Sequence, residues 1–88
     1  MFKIDLRSHK STYEQITDGF KEMIMTGVLA CGEKMPSVRE LSKDLGVNPN
    51  TIAKSYQELE RQGYIYTSTG VGTFVADKSE IKADPVEL

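Results

Sequence analysis

The chain has one cysteine, Cys31, so no internal disulfide can form, and that economy fits a cytoplasmic setting. It has one histidine, His9, and no His, Cys, Asp or Glu residues at metal-ligand spacing, so neither metal nor cofactor is expected. No run approaches the roughly 18 apolar residues that cross a bilayer. The polar, mixed FKIDLRSHKS start is unlike a signal peptide, and no membrane association is expected. There is no phosphate-cradling GxxxxGK loop and no base placed to activate a serine. No catalytic residue is therefore assigned, and the chain is not expected to be an enzyme.

A basic excess is also missing. The net charge is −2, which on the total alone argues against a nucleic-acid partner. The distribution changes that argument. The tail from Asp77 to Leu88 holds four acids and two lysines, and residues 1–76 balance at nine bases and nine acids. A cationic face must come from sorting charges onto one side. One copy should then bind weakly, with dimerisation adding the rest. The 88 residues and 39% hydrophobic content suffice for one small domain with one modest core.

The chain does carry start and stop signals for three helices. Ser11 followed by Glu14 is a capping-box pattern, and Tyr13, Ile16, Phe20, Met23 and Ile24 recur at helical spacing, predicting a helix from Thr12 to Thr26 closed by Gly27. Ser37 with Glu40 repeats the box and opens a short helix, with Val38, Leu41 and Leu45 inward and Gly46 at its end. Asn48 then Pro49 is a strong start for a third helix, with Ile52, Tyr56 and Leu59 buried and Gly63 as the stop. Strands are predicted over Tyr64–Ser68 and Thr73–Ala76, with Gly70 and Gly72 at the hairpin tip and Glu33–Met35 as a short strand beside them. Residues 1–8 read as an extended lead-in, docking Phe2, Ile4 and Leu6 by alternation. Residues 9–77 form the domain, and residues 78–88 are a polar tail or the start of a linker. The fold class is α+β, mainly α: a winged helix-turn-helix of three helices plus a β-hairpin wing.

Two helices joined so tightly form the unit that lays its second helix in a major groove. With Ile52, Tyr56 and Leu59 inward, Asn50, Thr51 and Lys54 cluster on the open N-terminal end of the third helix. Asparagine can pair with adenine, threonine can touch a thymine methyl, and lysine can reach guanine or phosphate. A solvated helix face is the plain alternative. Arg39 sits in a first helical turn, where the helix dipole disfavours a cation. That placement points to a phosphate or guanine, with a salt bridge to Glu40 or Asp44 as the alternative. Ser37 can donate to phosphate, although capping already explains it. At the tip, Thr69, Gly70 and Gly72 allow close backbone approach to a groove, or serve simple turn geometry. Lys3, Arg7 and Lys10 form either a basic arm or a solvated lead-in.

These motifs, PSVREL, NPNT, the GYI start and the GVGTFV end of the wing, together resemble the DNA-binding domain of GntR-type bacterial transcription regulators. The NPNTIAKSYQELE wording is most similar to the YtrA subgroup. The resemblance implies sequence-specific binding of double-stranded operator DNA as a homodimer, more in the manner of a repressor than an activator. It implies contacts at Arg39, Asn48, Asn50, Thr51 and Gly70. Family members often carry bases where this chain has Pro49 and Ala53, which shifts the burden to Asn50, Thr51 and Lys54, and the base often found before Gly70 is Thr69 here, which weakens the minor-groove contact. A small-molecule effector is implied only through a region absent from this chain. The rival reading is a winged-helix module for protein assembly without specific DNA binding.

Overall fold

The structure, a computed structural model, describes residues 3–82. The expectations for Phe2 and for residues 83–88 lie outside the described residues. Three helices come first: α1 (Thr12–Met25), α2 (Val38–Leu45) and α3 (Pro49–Arg61). The antiparallel pair β1 (Ile65–Ser68) and β2 (Gly72–Val75) follows, with Ile65 opposite Val75 and Ser68 opposite Gly72. This is a winged helix.

Each helix begins where its cap falls. Ser11 and Ser37 form full capping boxes with Glu14 and Glu40, and the Asn48 side chain accepts from the Asn50 amide. Gly46 ends α2 in the left-handed conformation, at φ 67°. Ser42 Oγ donates to the Val47 carbonyl at 2.6 Å, which holds the three-residue turn to α3 tight.

The core lies where the three helices meet the base of the hairpin. It contains Ile16, Phe20 and Ile24 from α1, Leu41 from α2, and Ile52, Tyr56 and Leu59 from α3, with Met35, Ile65 and Val75 closing it. Val38 and Leu45, expected inward, pack against it half-buried. Phe20 meets Tyr56 edge-on, with ring centroids 5.8 Å apart. The Tyr56 hydroxyl donates to the Pro36 carbonyl at 2.6 Å, tying α3 to the connector just before α2.

One buried polar contact joins α1 and α3. Thr17 Oγ1 lies 2.8 Å from both the Tyr13 carbonyl and Ser55 Oγ. A hydroxyl has one hydrogen. Thr17 donates it to Tyr13, so Ser55 donates to Thr17. Nothing in the apolar stripe pattern announces this pair.

The connector contributes its expected short strand as a single bridge, Lys34 opposite Phe74. Met35 N donates to Thr73 O at 2.7 Å and Val75 N to Glu33 O at 2.9 Å. The lead-in departs from expectation. Ile4 packs on the core, but Leu6 is 91% exposed. The chain turns there, because the Asp5 carboxylate accepts from Arg7 N at 2.9 Å and the alternation is broken. Gln15 of α1 then binds the Asp5 backbone at both its N–H and its carbonyl.

After β2 the chain forms a short 3-10 turn, Lys78–Glu80, and Lys82 N donates to Gln62 O at 2.8 Å. That return fixes the identity of Gly63. Its φ is 86°, and a Cβ there would run into the Glu80 carbonyl.

The direction of the buried hydroxyl pair gives a stability prediction. Thr17→Val strands the Ser55 donor, whereas Ser55→Ala leaves Thr17 still donating to Tyr13. Thr17→Val should cost about 1–3 kcal/mol and Ser55→Ala about 1 kcal/mol, with the double variant recovering part of the loss. Denaturant melts of the four proteins check the order, and a reversed order would refute the assigned donor.

Candidate nucleic-acid interface

The turn from Gly46 to Asn48 joins the end of α2 to the start of α3, and the two helices pack so that the start of α2 borders the start of α3. A shallow cleft between them is lined by Ser37, Val38, Arg39, Ser42 and Pro49. Arg39 is exposed and makes no ion pair among the described residues, with Glu40 and Asp44 included. The Glu40 carboxylate instead accepts from the Ser37 backbone at 3.3 Å. Lys54 is likewise exposed and makes no ion pair among the described residues, and Asn50 is exposed as well.

Thr51 is half-buried. It borders a groove between α1 and α3 with Tyr13, Lys54, Gln57, Glu58 and Arg61. Within that groove Arg61 is spent on its own helix. Its Nε and Nη2 donate to the two Glu58 carboxylate oxygens at 2.9 and 2.6 Å. These bonds, with a further one from the Gln62 amide, hold the Glu58 carboxyl down at about 2. The open face of α3 therefore keeps Lys54 as its uncommitted cation.

Ser37 and Asn48 are both in place at the helix starts, with their acceptor oxygens engaged in capping. Ser37 Oγ accepts from Glu40 N at 3.0 Å, and Asn48 Oδ1 accepts from Asn50 N at 2.8 Å. The Ser37 hydroxyl hydrogen and the Asn48 amide NH2 have no partner among the described residues. Thr69 and Gly70 lie exposed at the hairpin tip, where Gly70 has φ 78° and open space around it. Gly72 is closer in and stands at φ 144° against the side chain of Lys34. The remaining lead-in cations divide. Lys10 pairs with Asp18 at 2.9 Å, while Lys3 and Arg7 are exposed with no ion pair among the described residues.

Sequence reasoning passed over two exposed cations on this side of the molecule, Lys34 in the connector and Lys43 in the last turn of α2. Lys43 is an ordinary helix-end lysine. Lys34 falls in the short strand expected beside the hairpin, but the register that sets its side chain against Gly72 is a long-range feature that no local signal encodes. Among the described residues no group of His, Cys, Asp and Glu could hold a metal ion, and no helix is long and apolar enough to cross a membrane.

Residues 12–75 match the profile of the bacterial regulatory proteins of the gntR family. The chain is 45% identical over 80 residues to the HTH-type transcriptional repressor YtrA of Bacillus subtilis, covering 91% of this chain and 62% of that protein. It thus spans about three fifths of the length of that relative. Among solved structures it is similar to a transcriptional antiterminator from Listeria monocytogenes EGD-e, with TM-score 0.88, 48% identity, and coverage of 98% of this chain and 64% of that one. It is also similar to the AraR DNA-binding domain in complex with operator ORE1, with TM-score 0.72, 33% identity, and coverage of 86% and 95%.

The cap at Asn48 sets the pose of everything on the leading end of α3. Asn48→Ala should cost about 1 kcal/mol, while Asn48→Asp and Asn48→Ser should stay near the wild type. On a chain of this size a 1 kcal/mol loss lowers Tm by roughly 4–8 °C. A thermal melt in which the alanine variant matches the wild type would remove the cap from the argument.

Proposed function

The chain belongs to the gntR family of bacterial regulatory proteins, and on that footing we propose that it is a transcription regulator that reads double-stranded operator DNA. In this reading α3 enters the major groove, the start of α2 grips the flanking phosphates and the wing touches the adjacent groove. The observation that carries it is the pair of neighbouring helix starts on which Asn50 stands exposed and Arg39 and Lys54 stand exposed with no ion pair among the described residues.

The residues divide by chemistry. Asn50 and Thr51 are short and sit on the first turn of α3, suited to base edges. Arg39, Lys54 and the Ser37 hydroxyl suit phosphates, which fix register without reading sequence. Asn48 offers its amide NH2 from the cap, and Thr69, Gly70 and Gly72 bring backbone close at the wing. Repression follows where such a protein occupies the DNA a polymerase needs, and the name of the Bacillus subtilis relative supports repressor over activator.

The balanced charge of residues 1–76 supports a homodimer on a pseudo-palindromic site, since one domain gains little from long-range attraction. The protein would work in the cytoplasm, where its DNA lies. The same charge balance favours the second reading, an assembly module that binds no specific DNA.

Selection of bound sites from random duplexes separates the two readings: a regulator enriches a sequence and an assembly module enriches none. On the selected site, Arg39→Ala and Lys54→Ala should each weaken binding by about 1–3 kcal/mol. Asn48→Asp should keep the melting temperature yet lose affinity, because it places a carboxylate at the DNA. Shift titrations at several salt concentrations should show affinity falling steeply, as phosphate contacts release counterions. Failure to enrich any sequence, or unchanged affinity in both alanine variants, would defeat the proposal.

A further inference from the structure

The hairpin tip is uncharged along its own strands. Ser68, Thr69, Gly70, Val71, Gly72 and Thr73 carry no cation. A cation nevertheless stands beside it, supplied from elsewhere in the chain. Lys34 lies in the connector and pairs opposite Phe74 at the edge of β2. Its side chain does not run straight across to Phe74. It slants to the diagonal neighbour Gly72, within the usual reach of a long side chain on a sheet. A Cβ on Gly72 would lie 2.8 Å from Lys34 Cε and 3.5 Å from Nζ. The missing side chain at Gly72 is thus the space that the lysine stem fills.

The ammonium so held has no acid of its own. Lys34 is exposed and forms no ion pair among the described residues. Lys34, Val71, Gly72 and Thr73 on one side, and Ser37, Val38 and Glu40 on the other, border a cleft between the wing tip and the start of α2. Glu40 is the one acid on that cleft, and its carboxylate already accepts from the Ser37 backbone. On the proposed reading, a duplex strand that passes from the groove of α3 to the groove of the wing would cross this cleft.

Resting on the reading of α3 as the groove-entering helix, we propose that Lys34 is the wing's phosphate-binding residue, lent across the sheet edge to a tip with no charge of its own. Gly72 serves it by leaving room for the stem. The contact is electrostatic and blind to base sequence, so it adds affinity and fixes where the wing lands without contributing to readout.

The test compares wild type, Lys34→Met, Lys34→Arg and Lys78→Gln on the selected operator and on an unrelated duplex, each titrated from low to moderate salt. Methionine keeps the apolar stem on Gly72 and removes only the charge. Lys78, at the base of the hairpin, is the control, since its ammonium donates to the Met25 carbonyl. Lys34→Met should reduce the slope of log affinity against log salt by about 0.9, roughly a threefold change between 50 and 200 mM salt, equally on both duplexes. Lys34→Arg and Lys78→Gln should keep the wild-type slope. A wild-type slope in Lys34→Met, or a loss confined to the selected operator, overturns the assignment of Lys34 alone. A wild type that binds neither duplex overturns it together with the reading of α3.

Discussion

Everything on the exposed face depends on how Tyr56 is held. Its ring stands edge-on to Phe20 of α1, and its hydroxyl reaches out of the core to the Pro36 carbonyl. One side chain thereby fixes α3 against α1 and against the connector that delivers α2. Burial, with the Glu40 charge adding to it, pushes the phenol well above its ordinary range, so it stays protonated and remains a donor. The residue after Pro36 is Ser37, the cap of α2. The spacing between the two helix starts is therefore a consequence of packing, although the residues at those starts are polar and exposed.

The balance of charge shows how a neutral domain can present a cationic edge. Acids on this side are drawn into local bonds: Glu40 caps α2, and Glu58 is gripped by Arg61 and Gln62. Arg39 and Lys54 have no such attachments among the described residues. Arg39 also stands against the dipole of α2, a placement that costs a few tenths of a kcal/mol to about 1 kcal/mol at an exposed site. Local preference yielding at one position amid otherwise consistent caps and stripes is the pattern expected where a surface is shaped for a partner.

The parts of the fold written in contiguous residues were legible in the sequence. Three caps and the 3.6-residue apolar stripes located α1, α2 and α3 to within a residue, because capping and amphipathicity act within one or two helical turns. The exposure of Arg39, Asn50 and Lys54 followed from the same stripes. What escaped was long-range or depended on turn chemistry. The Thr17–Ser55 pair joins residues 38 apart, and although the short strand at Glu33–Met35 was legible, the lean of Lys34 onto Gly72 depends on its register against β2. Gly63 looked like a simple stop, yet the returning Glu80 carbonyl is what excludes a side chain there. Leu6 failed for a local reason: the Asp5 side chain bends the backbone and ends the alternation that would have turned it inward.

The leading end of α3, which carries the proposed readout, and its far end are held differently. At the far end Gln62 accepts from Lys82 N, and Gly63 is packed under Glu80, so the backbone is fixed from outside the helix. At the leading end support is short-range, from the Asn48 cap and the Ser42–Val47 bond. The long cations there pay rotamer entropy when they are immobilised, up to ~2 kcal/mol each, whereas Asn50 and Thr51 have little to lose. On the proposed reading that difference assigns the work. Short side chains on a fixed first turn can discriminate between bases at low entropic cost, and long flexible cations suit phosphates, whose positions tolerate a range of geometries. A neutral domain with few cations then depends on placement for its affinity, and the two helix starts set that placement.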